Sequence, residues 1–423
     1  MSLPSESPPR FFGMDIHRDY AVVLAVASPH TVVLPARRVD FSRFEDWIKK
    51  HLLPSDHVAI EATVNAWLVH DLVAPLVSRC VVTDARQVRL ISHAAVKTDA
   101  QDALRLANLL SVNMLPIVWV PPPHVRDLRA LAAHRSALIK RRTIALNRIR
   151  SLINRHNLQQ PDDLLSPNDW LDDITAQLSP VEQLLVRDDL ESLVPLSASV
   201  TRVEAQMAHL SQSDAWRTQS ARVMQLLGFG IVHAMTLLGA IGDISRFPSA
   251  DKFCGYTGLC SKVDQSGQKD RSGPISKAGR RDLRNVFVEA ARSSVRYDTR
   301  FKREFDDMCK RMHPHKAIVA VARKLAALVW YMLHEPEPAR HMTDQQRAFK
   351  FASIHRQLAA HDVAVPPTRY FIRQQLRAIG RSDDTTSYNI GKRPRIIATD
   401  LQLAEFEARF AEPPNSASPD LST

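Results

Sequence analysis

Phe11-Phe12-Gly13-Met14-Asp15-Ile16 is a short apolar run that carries one acid near its end. Two more apolar stretches follow, Tyr20–Val26 and Thr31–Leu34, with polar or turn residues between them. Connections this short join antiparallel neighbours, so the three stretches read as consecutive strands of one sheet. The pattern then alternates. A helical pattern at Phe41–Leu53 leads into a fourth strand, His57–Ile60, and a helix at Asn65–Ser78 leads into a fifth, Cys80–Thr83. From Thr98 to Val112, Ala103, Leu106, Leu109 and Leu110 return to helical spacing. Strands followed by alternating helices and strands make an α/β pattern. The proline run Pro121–Pro123 closes it, which gives a first domain over residues 10–122.

Acids stand at the ends of these elements. Asp15 ends the first strand and Glu61 directly follows the fourth. Asp99 and Asp102 lie three apart at a helix start and project from one face. Strand-end acids converge at one sheet edge, and a helical pair closes the site from beside it. Four facing carboxylates repel one another unless a cation neutralises them. Oxygen ligands suit magnesium or manganese, and two such ions activate a nucleophile and stabilise the leaving oxygen on phosphate. Taken singly, each acid also fits a turn or a helix end. The metal reading rests on the set.

Composition bounds the partners. The chain has 423 residues, enough for two or three domains, with 45% hydrophobic and 24% charged residues, as in a soluble globular protein. A net charge of +11 and a pI of about 9.7 favour a polyanion, either nucleic acid or an anionic membrane surface. The most apolar run, Ala317 to Leu333, is broken by Arg323 and Lys324 and reads as an amphipathic helix, so no membrane partner is expected. Residues Met1 to Pro9 form a loose polar leader without the pattern of a secretion signal. The four cysteines form no C-x-x-C pair, which argues against a zinc site and suits a reducing cytoplasm.

The middle segment, 123–215, is helical and coiled-coil-like. A long helix is expected from His124 to about Arg155, with Leu128, Leu131, Leu138, Ala145, Ile149 and Leu152 close to a heptad stripe. Arg135 and Arg142 interrupt that stripe. The stretch carries nine Lys/Arg and one acid, Asp127, so no i,i+4 partners neutralise it. Contact with phosphate through Arg141, Arg142 and Arg148 is the functional reading, and a solvated helix face is the bland one. After Pro161 the chain turns acidic, and a second helix at Val181–Gln212 is expected to pack back antiparallel on the first.

The third region, 221–335, is mainly helical. In Gln225-Leu226-Leu227-Gly228-Phe229-Gly230-Ile231, Gly228 and Gly230 precede a helix. Such glycines let backbone N–H groups reach a phosphate, as in a helix-hairpin-helix, or simply make a tight turn between core helices. Next, Asp264–Gly273 reads as a polar loop with serines, among Lys269, Arg271, Lys277, Arg280, Arg281 and Arg284. These cations suit a phosphate. From the residues alone, a flexible basic loop with incidental serines is the simpler reading. The extension 336–423 carries two helical patterns, Val365–Ala378 and Thr399–Phe410, and a polar tail read as disordered. It suggests no function.

The order strand–Asp, strand–Glu, helix with an acid pair resembles the RNase H-like (RuvC-like) fold of Holliday-junction resolvases. Lys97-Thr98-Asp99-Ala100-Gln101-Asp102-Ala103 is similar to the K-T-D-x-x-D-A signature of the DEDD insertion-sequence transposases. Asp15 in Gly13-Met14-Asp15-Ile16-His17 and Glu61 in Ile60-Glu61-Ala62-Thr63 match that family's first two acids. The glycine segment, Phe247, Phe253 and Tyr256-Thr257-Gly258-Leu259 resemble the family's C-terminal transposase domain, with its helix-hairpin-helix-like element. Leu227 and Ser261 depart from it, where proline is frequent. Ser266-Gly267, then Ile275-Ser276-Lys277-Ala278-Gly279 and Arg284, fit its S-G and I-S-K-x-G pattern, with Ser272-Gly273 as a competing alignment.

The resemblance spans roughly residues 10 to 335. It implies that Asp15, Glu61, Asp99 and Asp102 bind Mg2+ or Mn2+ and that Ser266 attacks DNA to form a phosphoserine link. It implies a dimer or tetramer with a composite active site, acting on element ends and target DNA. It also implies a structured non-coding guide RNA and a prokaryotic, nucleoid-associated setting. Two other readings stand beside it: a metal-dependent junction endonuclease that uses water, and a non-catalytic nucleic-acid-binding relic.

Overall fold

In the computed structural model the described residues are 9–91, 98–165, 170–266, 269–335, 342–381 and 385–411. The chain divides into two units, Met1–Pro122 and Pro123–Thr423. The first unit holds β1 (Phe11–Ile16), β2 (Tyr20–Ser28), β3 (Thr31–Asp40), α1 (Phe44–His51), β4 (His57–Glu61), α2 (Ala66–Val73), β5 (Arg79–Thr83), α3 (Ala85–Ile91), α4 (Asp99–Ser111) and β6 (Ile117–Val118). Its six-stranded sheet has the order β3-β2-β1-β4-β5-β6. β1, β2 and β3 are antiparallel neighbours, β1, β4 and β5 run parallel, and β6 returns antiparallel to β5. The α/β expectation holds. α3 and β6 were not anticipated; β6 has two residues, too few to show a period.

Alternation along β1 sorts its side chains to the two faces of the sheet. Phe12, Met14 and Ile16 pack with Val58 and Ile60 of β4, beneath Phe44, Trp47 and Ile48 of α1 and Val69 of α2. Gly13 and Asp15 face the other way, toward α3 and α4. There Val22, Leu24 and Val26 of β2 meet Ala103 and Ala107, and Ala59 and Val81 meet Val88, Leu106 and Leu110.

The second unit holds α5 (Pro123–Arg155), α6 (Leu171–Thr175), α7 (Pro180–Ser211), α8 (Arg217–Met224), α9 (Ile231–Ile241), α10 (Ala250–Thr257), β7 (Ser261–Ser266), β8 (Lys269–Ile275), α11 (Arg281–Tyr297), α12 (Thr299–Cys309), α13 (Pro314–His334), α14 (Asp344–Ala359), α15 (Thr368–Ala378), β9 (Ser387–Ile390), β10 (Arg393–Ile396) and α16 (Asp400–Ala411). α5 and α7 form the expected antiparallel pair. The Arg135–Glu204, Arg148–Asp189 and Arg155–Glu182 ion pairs run along the two helices in opposite order. A capping box, with Ser179 and Glu182 satisfying each other's backbone N–H, starts α7 at Pro180. Leu164, Trp170 and Ile174 of the acidic connection close a small core over Ile149 and Leu152 of α5 and Val186 and Leu190 of α7.

α13 is long and apolar enough to cross a membrane by length and composition, but half of its apolar window is buried within the protein. Arg323 and Lys324 pair with Asp251 and Glu304, as befits a core helix with one wet side. The loop expected over Asp264–Gly273 is instead an antiparallel hairpin, β7–β8, in which Ser266 pairs with Lys269 and Ser272 with Val263. The extension contains α14, the β9–β10 hairpin and the two helices read from the sequence. Buried Arg347 of α14 donates to Gln225, which ties the extension to the rest of this unit. The leader at residues 1–8 and the tail at 412–423 lie outside the described residues.

Candidate metal centre

Local geometry brings the acids to one edge. A Cβ built on Gly13 would lie 1.9 Å from the Ala103 carbonyl oxygen, so only glycine lets α4 rest on β1 this closely. The Thr98 hydroxyl accepts from the Gln101 N–H and starts α4 at Asp99. Asp99 and Asp102 therefore share the first turns of a helix pressed onto β1. Gly13 pairs with Ala59, so Asp15 and Glu61, each two residues further on, face the same side at neighbouring strand ends.

Asp15 and Asp99 meet across an imidazole. His17 Nε2 lies 3.3 Å from Asp15 Oδ2 and 3.1 Å from Asp99 Oδ2. That nitrogen is buried, and neither contact has hydrogen-bond geometry. The Tyr20 hydroxyl donates to Asp99 Oδ2 at 3.3 Å, and the Tyr20 ring stacks on His17 at 4.5 Å. Asp15 is 8% exposed. Burial pushes its carboxyl above the ordinary value; His17 opposes the rise, while Asp99 and Asp102 add to it.

Among the described residues, the donor atoms of Asp15, His17 and Asp99 all lie within 4.8 Å of one another. Two carboxylate oxygens and an orphaned, buried imidazole nitrogen fit a divalent cation. The nitrogen shifts preference from magnesium toward manganese. Glu61 and Asp102 lie outside this trio. They share a small cavity with Arg89 and Arg105, and Arg105 Nη1 donates to Asp102 Oδ1 at 2.9 Å. His17, Arg89 and Arg105 were missed from the sequence. The signal for His17 was its two-residue spacing from Asp15; for Arg105 it was three-residue spacing from Asp102. Lys97 lies outside the described residues.

The second unit spreads its candidate phosphate contacts. Arg148, expected to face phosphate, instead pairs with buried Asp189. Arg141 is exposed and Arg142 half-buried. Gly228 has φ +89°, and its Cβ would lie 2.6 Å from the Ala290 carbonyl oxygen, so helix packing alone requires glycine there. Gly230 caps α9 in an extended conformation. Gly279 presses against Gly258, its Cβ position 2.3 Å from the Gly258 nitrogen, which docks the I-S-K-x-G segment on the end of α10. Lys277 is exposed there, and Arg280 is held by Asp282 at 2.6 Å. One buried nitrogen of Arg284, Nη1, has no hydrogen-bond partner. Gly267 lies outside the described residues, as do the side chains of Ser266, Lys269, Arg271 and Ser272.

The sheet order and the acids at its edge define a class: the arrangement is compatible with an RNase H-like DEDD domain. Comparison with known proteins makes this specific. Residues 12–157 match a DEDD transposase family, and residues 220–306 match the transposase IS116/IS110/IS902 family. A Pseudomonas aeruginosa protein named "Probable family 20 transposase" is 26% identical over 341 residues, covering 76% of this chain and 96% of the relative. The transposase for insertion sequence element IS1111A of Coxiella burnetii is 25% identical, over 58% of this chain and 68% of the relative. The transposase for insertion sequence element IS1328 of Yersinia enterocolitica is 24% identical, over 58% and 76%. The chain belongs to the IS116/IS110/IS902 family of insertion-sequence transposases, enzymes of DNA strand transfer.

Proposed function

We propose that this transposase cuts and rejoins DNA through a covalent phosphoserine link at Ser266, beside a divalent cation held by the N-terminal acids. The observation that carries the metal half is the meeting of Asp15, Asp99 and the orphaned Nε2 of His17. Glu61 and Asp102 border the same sheet edge, where charge on a bound phosphate would draw on Arg89 and Arg105 as well. Asp15 and Asp99 would hold a cation here, Mg2+ or Mn2+, which would neutralise developing charge on the scissile phosphate. Tyr20 fixes the orientation of Asp99.

The Ser266 hydroxyl attacks the phosphorus, and its proton passes to solvent. The bond from phosphorus to the 3′-oxygen breaks, and that oxygen takes a proton to leave as a free 3′-hydroxyl. In the second step a 3′-hydroxyl from the partner strand attacks the phosphoserine, a phosphodiester forms, and Ser266 is released with its proton. No water enters and no bond energy is lost to hydrolysis. The position of Ser266, last in β7, supports it over Ser272, which lies inside β8. Lys277, Arg280 and Arg284 follow on the docked segment and suit the DNA backbone. Arg141, Arg142, Gly228 and Gly230 offer further backbone contacts of the helix-hairpin-helix kind.

The reading extends to a composite site from two subunits, in a dimer or tetramer, and to a structured guide RNA that selects element ends and target. It places the enzyme on DNA in a prokaryotic cytoplasm. Trapping tests the serine: denatured wild-type reactions should hold DNA covalently on protein, and Ser266→Ala should hold none. Cleavage by Ser266→Ala with free products would instead establish the water-using junction endonuclease.

A further inference from the structure

The β9–β10 hairpin stands on a rigid base. Arg373 is fully buried, and its guanidinium donates to the Ala398 and Thr385 carbonyls at 2.6 and 2.7 Å. Both ends of the hairpin are thereby fastened to α15. Every residue of β10 is nonetheless exposed, with Ile396 at 77%. An exposed strand edge invites another strand to pair. Here Pro394 removes a donor from the middle of that edge, and Arg393 and Arg395 flank it, which disfavours a peptide added as a third strand.

The hairpin and α14 instead border two concave sites that meet at Phe349, itself 47% exposed. One, of about 550 Å³, is lined by Arg356, Arg369 and Arg395 together with Tyr388. The other, of about 570 Å³, is lined by uncharged polar side chains such as Gln346 and Asn389, with Lys350. No acid lines either cavity among the described residues. Arg356, Lys392, Arg393 and Arg395 have no ion-pair partner among the described residues. Arg369 lies over the Tyr370 ring at 4.5 Å.

We propose that this groove holds an unpaired DNA strand, with phosphates on Arg356, Arg369 and Arg395 and a base stacked on Phe349. Charge complementarity selects a polyanion, and concave sites of this size suit one or two nucleotides with their bases turned inward. A duplex keeps its bases stacked inside and would leave both cavities empty. Strand transfer supplies unpaired DNA. The arginines, Phe349 and Tyr388 lie outside the segments matched by the family, and the site needs neither the cation nor Ser266.

The test uses the full chain in EDTA, so that it reads binding without chemistry. A short oligothymidylate carrying 5-iodouracil should photocrosslink to Phe349 or Tyr388, located by mass spectrometry. Phe349→Ala should weaken oligothymidylate binding about tenfold. The pair Arg356→Ala and Arg395→Ala should weaken it as well and lower the salt-dependence slope by about 1.4, for two lost phosphates. All three side chains are exposed, and an unchanged melting curve checks that the variants fold. Crosslinks confined to other regions, or unchanged affinity in both variants, would overturn the proposal. Tighter binding of duplex DNA or of oligouridylate than of oligothymidylate through these same residues would overturn its choice of strand.

Discussion

At the scale of single residues, His17 decides how the metal centre is read. Its imidazole sits between two carboxylates without a hydrogen bond, where a cation or a proton would relieve their repulsion. His17→Ala should weaken Mn2+ binding by about tenfold, the lower end of the effect for groups that support a metal. Titration of the free Mn2+ paramagnetic signal reads this directly, and unchanged affinity would remove His17 from the site. Asp15 and Glu61 were legible because each stands where an apolar alternating run ends, and alternation alone assigns the face. His17 falls just past the strand, where the period-two pattern has stopped, so its two-residue spacing from Asp15 was its one signal. The ion pair between Arg105 and Asp102 was equally hidden: an i,i+3 pair in a short helix looks like ordinary surface charge.

At the scale of elements, the basic run on α5 resolves into two kinds of arginine. Arg135 and Arg148 are answered by Glu204 and Asp189 across the helix pair, so the charge with no partner in its own helix is neutralised from α7. Asp189 is 6% exposed, and removing its partner leaves a buried acceptor unsatisfied. Arg148→Ala should therefore cost about 1–3 kcal/mol of stability. Arg141→Ala should leave the melting temperature alone and weaken DNA binding, with the salt-dependence slope reduced by about 0.9. Thermal melts and binding isotherms on the two variants separate the roles, and the reverse pattern would refute this assignment. The helices were legible from periodicity, but the pairing of charges was not, because it depends on the register between segments 41 and 69 residues apart in sequence. The β7–β8 hairpin escaped for a related reason. Its strands are polar and charged, so no apolar alternation marks them, and the cross-strand hydrogen bonds alone define the element.

At the scale of the whole molecule, two units carry different chemistry. The first gathers acids at the edge of its sheet, and the second gathers cations on a helix, a docked loop and a C-terminal groove. Composition foretold a polyanion partner but not this division, since the net charge of the whole chain does not show that residues 1–122 are neutral and residues 123–423 carry the excess. The C-terminal extension lay beyond the resemblance, and its hairpin carries the Lys392-Arg393-Pro394-Arg395 run, which looks like a linker in sequence. The central claim is that acids and serine act together in one strand-transfer centre shared between subunits. Complementation tests it most directly. Asp99→Ala and Ser266→Ala should each fail to recombine element-end and target DNA alone, and an equal mixture should recover recombinant product. A mixture as inactive as either variant, with Ser266→Ala alone still cutting in a metal-dependent way, would contradict the account.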